Sequence, residues 1–293
     1  MGRAATPLSR RLAGKRAFIT GGGSGLGLAF GELLAQDAWQ IGLLDRDAAR
    51  LKTAVRHLEG LGAERVLSYT ADVTDEAAFG AALADFVAKA GGLDFMLNNA
   101  GVAVAGSVLD TPAADWRWAL EINVIGVVNG CRLALPHLKL ADAACVLNIA
   151  SAAAFASASD MSAYNASKAA VVALTETLAQ ELDGTAVHAA VAMPGFFPTQ
   201  LLETARAPAE ALAMAHKLMK SSHYTAERAA ADMLKGCAAG RLYIVLPSAY
   251  ARLWRLKRFW PAAFMALLRR TRRRALARRA QAPARGGGST ARP

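Results

Sequence analysis

Cysteine is scarce in this chain: Cys131, Cys145 and Cys237 are the only three in 293 residues. They are too few and too scattered for a disulfide frame or a zinc site, and read as buried thiols in a reducing, cytoplasmic setting. The five histidines (His57, His137, His188, His216 and His223) show no ligand spacing, so no metal is expected. Charged residues make up only 19% of the chain against 54% hydrophobic, a balance that excludes a disordered protein. No internal repeat is visible. The opening, MGRAATPLSRRLAGKR, is basic but lacks the apolar centre of a signal peptide, and a flexible arm is expected over residues 1–12.

Acid is missing from the whole C-terminal end. Residues 233–293 hold 15 of the 34 Lys and Arg and none of the 23 Asp and Glu. Residues 1–232 therefore carry 19 basic against 23 acidic groups, and the net +11 arises entirely beyond Asp232. That asymmetry points to a near-neutral folded body with a basic tail, not to a nucleic-acid-binding domain.

What is present in quantity is alternation. Apolar runs at 17–20, 40–45, 65–70, 93–99, 144–150, 186–194 and 241–247 read as seven strands. Amphipathic stretches lie between them: Leu28–Gln36, Ala48–Leu58, Glu76–Ala88, Ala113–Leu135, Ala163–Leu182 and Ala226–Leu234. Regular alternation of this kind predicts an α/β fold with one doubly wound, Rossmann-type parallel sheet and helices on both faces. The runs are almost continuously apolar, as strands covered on both sides should be.

Glycine is concentrated between the first strand and first helix, where FITGGGSGLGLAF places five glycines between Gly21 and Gly27. A parallel sheet opens its ligand crevice at that point. No G-x-G-x-x-G register fits, because the sixth position is Leu26, Leu28 or Phe30. The physical task is similar nonetheless. Gly21 permits the turn, Gly25 lets backbone approach a pyrophosphate, and Gly27 packs helix against strand. Free N–H groups at the helix start, around Ser24, Gly25 and Leu26, then meet the negative charge. Strand two ends at Asp45, which can accept hydrogen bonds from adenosine ribose hydroxyls. Asp45 would repel a 2′-phosphate, whereas Arg46 could attract one. NAD is preferred over NADP on this reading, and both stay open.

Further motifs follow in order: DVT at 72–74, NNAG at 98–101, IN at 122–123, Ser151, YNASK at 164–168 and PGFFPT at 194–199. With TGGGSGLG at 20–27, the set resembles the short-chain dehydrogenase/reductase family over about residues 13–247. The resemblance implies that Asp72 and Val73 frame the adenine and that Asn99, Ala100 and Gly101 line the cofactor crevice. Pro194, Gly195, Phe197 and Thr199 would hold the nicotinamide end, with Thr199 near the carboxamide. Asn123, Ser151, Tyr164 and Lys168 look like the catalytic set, Tyr164 and Lys168 also touching the cofactor. A homo-oligomer, dimer or tetramer, is implied through the helices around Ala113–Leu135 and Ala163–Leu182.

The chemistry of those side chains agrees. Oxidising an alcohol needs a base for the hydroxyl proton while hydride leaves for the cofactor. A free tyrosine, with a pKa of about 10, is a poor base at neutral pH. Tyr164 and Lys168 are four apart and share a helix face, so the ammonium should favour phenolate and lower that pKa. Ser151 can hold the substrate oxygen, and Asn123 would orient Lys168 through a water. The expected activity is NAD(P)-dependent interconversion of a secondary alcohol and a ketone. The rivals are an NADPH-dependent ketoreductase and a dinucleotide-sensing protein without turnover.

The catalytic body is expected to span 13–248, with a substrate lid over about 199–225. Leu201, Leu202, Leu212, Met214, Leu218 and Met219 make the lid apolar, beside Phe155, Met161, Phe196 and Phe197. They fit a hydrophobic substrate, or simply pack the lid on the core. Residues 249–280 interleave aromatics, leucines and arginines, and read as two basic amphipathic helices divided at Pro261, the second over Ala262–Arg274. The apolar run Phe259–Leu268 is too short to span a bilayer. Interfacial binding to a membrane, at about 1 kcal/mol per cation near an anionic surface, is one reading of this extension. Packing on its own surface or on a partner subunit is the other. Residues 281–293 read as a disordered end.

Overall fold

A computed structural model describes residues 6–220 and 222–281. Seven strands form one parallel sheet: β1 Arg16–Thr20, β2 Gln40–Asp45, β3 Arg65–Thr70, β4 Phe95–Asn98, β5 Ala144–Ile149, β6 Val187–Pro194 and β7 Tyr243–Leu246. Their order is β3-β2-β1-β4-β5-β6-β7. The chain winds outward one way from β1 to β3, then crosses back to β4 and winds the other way. The crevice between β1 and β4 is therefore the switch point where such sheets take ligands.

The two-residue period of each strand divides the core into two layers. On one face Ala17, Ile19, Phe95 and Leu97 join Phe30 and Trp39. On the other, Phe18 and Met96 join Phe79, Phe86 and Val146. Phe18 alone touches Tyr69, Phe79 and Phe86 at ring-centroid distances of 5.8, 6.0 and 5.5 Å.

Helices α1 Gly25–Gln36, α2 Ala48–Gly60 and α3 Glu76–Ala90 connect the first four strands. The side chain of Asp47 caps α2 by accepting from Ala49 N and Arg50 N, and Asp75 caps α3 from Ala78 N. Gly91 then ends α3 in the left-handed region, at φ 77°. The single helix expected over Ala113–Leu135 is α4 Ala113–Leu120 and α5 Gly126–Leu138, joined by a π-helical turn at Glu121–Ile125. After β5 come α6 Ala153–Ala156 and α7 Ser162–Glu181, and after β6 come α8 Ala209–Lys220 and α9 Ala226–Ala238. Beyond the sheet lie α10 Ser248–Phe259 and α11 Pro261–Gln281, so the break falls at Pro261 and the second helix outruns Arg274.

Residues 1–5 of the expected arm and 282–293 of the expected disordered end lie outside the described residues. From Thr6 onward the arm is tied down. Leu8 and Leu12 are fully buried in the Trp39 layer. The Asp37 carboxylate accepts from Thr6 N at 2.8 Å, Thr6 Oγ1 at 2.7 Å and Lys15 Nζ at 2.9 Å, and from Ser9 Oγ. Two buried leucines and a buried carboxylate hold it, where a basic composition alone suggested freedom.

Candidate active site

The glycine loop has the shape its sequence required. Gly21 adopts φ 64°, and its N–H donates to the Leu44 carbonyl at 2.8 Å, turning the chain out of β1. Gly25 adopts φ 54°, and the nearest atom to an added Cβ is Gln200 N at 3.7 Å, so this backbone faces open space. At Gly27 an added Cβ would sit 2.2 Å from the Gly21 carbonyl oxygen, so α1 reaches its strand only without a side chain there.

Thr20 ties the loop to the end of β4. Its hydroxyl accepts from Asn99 N at 3.0 Å and Ala100 N at 3.1 Å. Asn99 Nδ2 donates to the Thr20 and Gly21 carbonyls at 3.0 and 3.2 Å. Asp72 is spent on its own turn, accepting from Thr74 N and Thr74 Oγ1 at 2.9 and 2.8 Å. Beside it, the carbonyl of Val73 is fixed by buried Asn129 Nδ2 at 3.0 Å. At the end of β2, Asp45 accepts from Gly23 N and Asp47 N, both at 3.1 Å. Arg46 is exposed, while Arg50 turns its guanidinium toward Ser24 Oγ at 3.4 Å.

Ser151 follows β5, and its Oγ accepts from Ala153 N at 3.1 Å. Tyr164 and Lys168 sit one turn apart on α7, both buried, with Lys168 Nζ 5.9 Å from the Tyr164 ring centre. Lys168 Nζ donates to the Ile149 carbonyl at 2.9 Å. Burial lowers its pKa to about 8. Burial also raises the Tyr164 phenol, and the hydrogen bond with Ser151 offsets only part of that rise. Desolvation sets the direction, and the lowering expected from the Tyr–Lys pair is not found.

Asn123 stands in the π-turn between α4 and α5, fully buried. Its Oδ1 accepts from Val102 N at 2.8 Å, and its Nδ2 donates to the Val102 carbonyl and Ser167 Oγ, both at 3.0 Å. The side chain thus pins the loop after β4 to α7. Widened turns of this kind recur at functional sites.

These residues surround a single cavity of about 490 Å³. Of the catalytic and cofactor positions named from the sequence, all but Gly27 and Asn123 line it; those two act from behind, Gly27 by close packing and Asn123 through Val102. Phe155, named beside the lid, does not line the cavity and is buried in the core instead. The glycine loop, Asp45 and Asp72 form one end, and Ser151, Tyr164, Met161 and Leu212 the other. Thr199 lines the wall, but its hydroxyl also caps a short turn at Gln200–Leu202. Phe197 is buried and packs edge-on to Tyr224 at 6.4 Å.

The short chain dehydrogenase profile matches residues 15–210. This chain belongs to the short-chain dehydrogenase family. It is 35% identical over 190 residues to a CLA biosynthesis dehydrogenase/reductase of Lactiplantibacillus plantarum, covering 64% of this chain and 66% of that one. It is 34% identical over 190 residues to 2-(R)-hydroxypropyl-CoM dehydrogenase of Xanthobacter autotrophicus, covering 64% of this chain and 76% of that one. Among solved structures it resembles a short-chain dehydrogenase/reductase from Burkholderia phymatum in complex with NAD. That match has a TM-score of 0.79 and 31% identity, and covers 88% of this chain and 95% of the other. The chain is accordingly a short-chain oxidoreductase of the dehydrogenase/reductase type, acting on CH–OH groups.

Four contributors to the site carry no assigned role in the sequence reading. Arg50 has only the helix-start pattern Asp47-x-x-Arg50 to mark it. Asn129 sits on a helix among apolar residues, where its spacing carries no signal, and Ser167 lies inside YNASK at a position that the resemblance gives no role. Tyr250 comes from beyond the family-like body: it lines the cavity, and an added Cβ on Gly195 would lie 2.3 Å from its ring.

Proposed function

We propose that the chain is an NAD(P)-dependent oxidoreductase interconverting a hydrophobic secondary alcohol and its ketone, with Tyr164 as general acid and base. The observation that carries this reading is the convergence of Ser151, Tyr164 and Lys168 at one end of a cavity whose other end is a bare glycine loop. The residues present fit a dinucleotide: the open backbone at Gly25 leaves room for a pyrophosphate, and the α1 N-terminus supplies N–H donors. When bound, the nicotinamide supplies the hydride acceptor or donor.

The protein's own part is position and proton. Tyr164 takes the hydroxyl proton in oxidation and gives it to the carbonyl oxygen in reduction. Ser151 holds that oxygen while charge develops. Lys168, with its pKa at about 8, stays mostly protonated at neutral pH, and its charge favours the phenolate at the moment of transfer. Asn123 is a positioning residue, fixing Val102 and α7. Residues 199–225 act as the substrate lid, and Leu212, Met214, Leu218 and Met219 give the cavity the apolar wall of a hydrophobic substrate site. Assembly as a dimer or tetramer through α4, α5 and α7 goes with this reading.

Asp45 at the ribose end supports NAD. A second reading, reduction with NADPH, is favoured by Arg46 and Arg50 beside that carboxylate and by the raised, protonated phenol. Nucleotide affinity in wild type and Asp45→Ala separates them. Tighter NAD binding that collapses in the variant supports the first, and tighter NADP binding in the wild type supports the second. Binding of neither nucleotide would end both.

A further inference from the structure

Beyond the sheet, α10 and α11 carry a surface that the cleft chemistry does not use. The inner face of α10 is anchored at helical spacing by Tyr250, Trp254 and Lys257. Tyr250 lines the cavity, Trp254 packs on Tyr243 at 5.1 Å, and Lys257 Nζ donates to the Phe155 carbonyl at 2.7 Å. α11 is anchored by Phe264, which is buried.

The corner between the two helices does the opposite. Phe259 and Trp260 are 67% and 62% exposed, their rings edge-on at 6.0 Å. Leu253, Met265 and Leu267 are also exposed. A pair of exposed aromatic rings in contact is what interaction surfaces present. The same two helices expose Arg252, Arg255, Arg269 and Arg270, and no acidic residue follows Asp232 in the chain.

We propose that this corner docks the protein on an anionic lipid bilayer, and that the bilayer is the reservoir from which a lipophilic alcohol or ketone enters the cleft. The second half rests on the oxidoreductase reading above. The indole of Trp260, with its polar N–H edge, beside the wholly apolar Phe259 and next to arginines, matches the boundary between headgroups and acyl chains. The charge complements an anionic leaflet. A second copy fits poorly, since a two-fold contact would set the same uncompensated arginines against themselves. A nucleic acid backbone would leave the Phe259 ring without a partner.

The two helices that carry the corner also border the substrate end of the cavity, α10 through Tyr250. Lys257 on α10 holds the Phe155 carbonyl, and Arg272 on α11 lies 3.9 Å from Asp160, a residue of the cavity rim. The lid helix α8 exposes Met214 at 49%, and Met214 lines the cavity too. An apolar molecule that enters past α8 meets apolar side chains before it meets the reacting groups.

The test is flotation of the full chain with phosphatidylcholine vesicles, with and without phosphatidylglycerol, for wild type and the double variant Phe259→Ser/Trp260→Ser. The account expects binding only where phosphatidylglycerol is present, weakening steeply with salt, and a loss of about tenfold in the double variant. Nucleotide affinity, measured on the same samples, should be unchanged in the variant, which excludes misfolding as the cause. With a long-chain secondary alcohol carried in the anionic vesicles, wild type should outpace the variant; with a short water-soluble alcohol the two should match. Failure to float, flotation indifferent to the variant, a sedimentation mass that falls in the variant, or binding to duplex DNA in preference to vesicles would each overturn the docking surface. Flotation without turnover of any alcohol would overturn the reservoir and the oxidoreductase reading, leaving the surface standing.

Discussion

Arg50 Nη2 and Glu203 Oε2 meet at 2.8 Å although 153 residues separate them in the chain. Arg50 stands on the first turn of α2, beside the glycine loop, and Glu203 follows the short turn after β6. Three residues on, Arg206 pairs with Asp115 at 2.7 Å and lies over the Trp118 ring at 4.0 Å. The segment crossing the cleft is therefore clasped at both ends. Both pairs are partly exposed, and such pairs contribute at most about 1 kcal/mol to stability.

The clasp should show itself in exchange rather than in stability. Glu203→Gln is expected to speed nucleotide dissociation several-fold while shifting the melting temperature little. Stopped-flow displacement of bound nucleotide, beside a thermal melt, checks both. An unchanged off-rate would mean that Glu203 only decorates the lid.

The raised Tyr164 phenol fixes the sign of the pH dependence. On the proposed mechanism oxidation uses the phenolate, which grows scarcer as the folded pKa rises, so its rate should climb with pH from neutral into the alkaline range. Reduction uses the protonated phenol and should stay flat near neutral pH. Profiles of kcat/KM in both directions read this, and an oxidation profile already level at neutral pH would contradict it.

Lys168 costs the fold stability while serving the site. Its folded pKa lies at about 8 against an ordinary 10.5, so between those values the unfolded chain binds more protons. Stability contributed by this group should therefore rise with pH across that window, by on the order of 3 kcal/mol. Lys168→Met should abolish turnover yet melt no lower than wild type at neutral pH, and the difference should narrow as pH climbs toward 10.5. A variant much less stable at neutral pH would show that the bond to Ile149 dominates instead.

Asp37 works in the opposite sense. Burial pushes its pKa up, but bonds from Ser9, Thr6 and Lys15 outweigh that and hold it well below the usual carboxylate range. Its stabilisation is complete above the unfolded value near 3.8 and is lost as pH falls below it. Asp37→Ala should cost roughly 1–3 kcal/mol at neutral pH, by leaving buried donors unpaired. Denaturant midpoints of wild type and variant should converge in acid, and parallel curves down to low pH would remove Asp37 from the account.

Much of this molecule is legible from its sequence, for reasons that differ between its parts. The strands announce themselves because both of their faces are buried, and Gly21, Gly25 and Gly27 do so because local geometry leaves no alternative residue. Ser151, Tyr164 and Lys168 are recognisable as a spaced set. What stays hidden is non-local. The π-turn at Asn123 follows from its bonds to Val102 and Ser167, not from helix propensity. Arg50 and Glu203 find each other only across the folded cleft, and Tyr250 reaches Gly195 from a helix outside any motif. Leu8 and Leu12 are buried within a segment whose composition advertises solvent.

The most direct test of the central claim compares wild type with Tyr164→Phe. The substitution keeps the ring and removes only the group said to move the proton. Turnover of a secondary alcohol or ketone, followed by the absorbance of reduced nicotinamide, should fall about 10²–10⁴-fold while nucleotide affinity holds within a factor of two or three. A variant that turns over as fast as wild type, or a wild type that binds nucleotide and never reduces or oxidises it, would contradict the account.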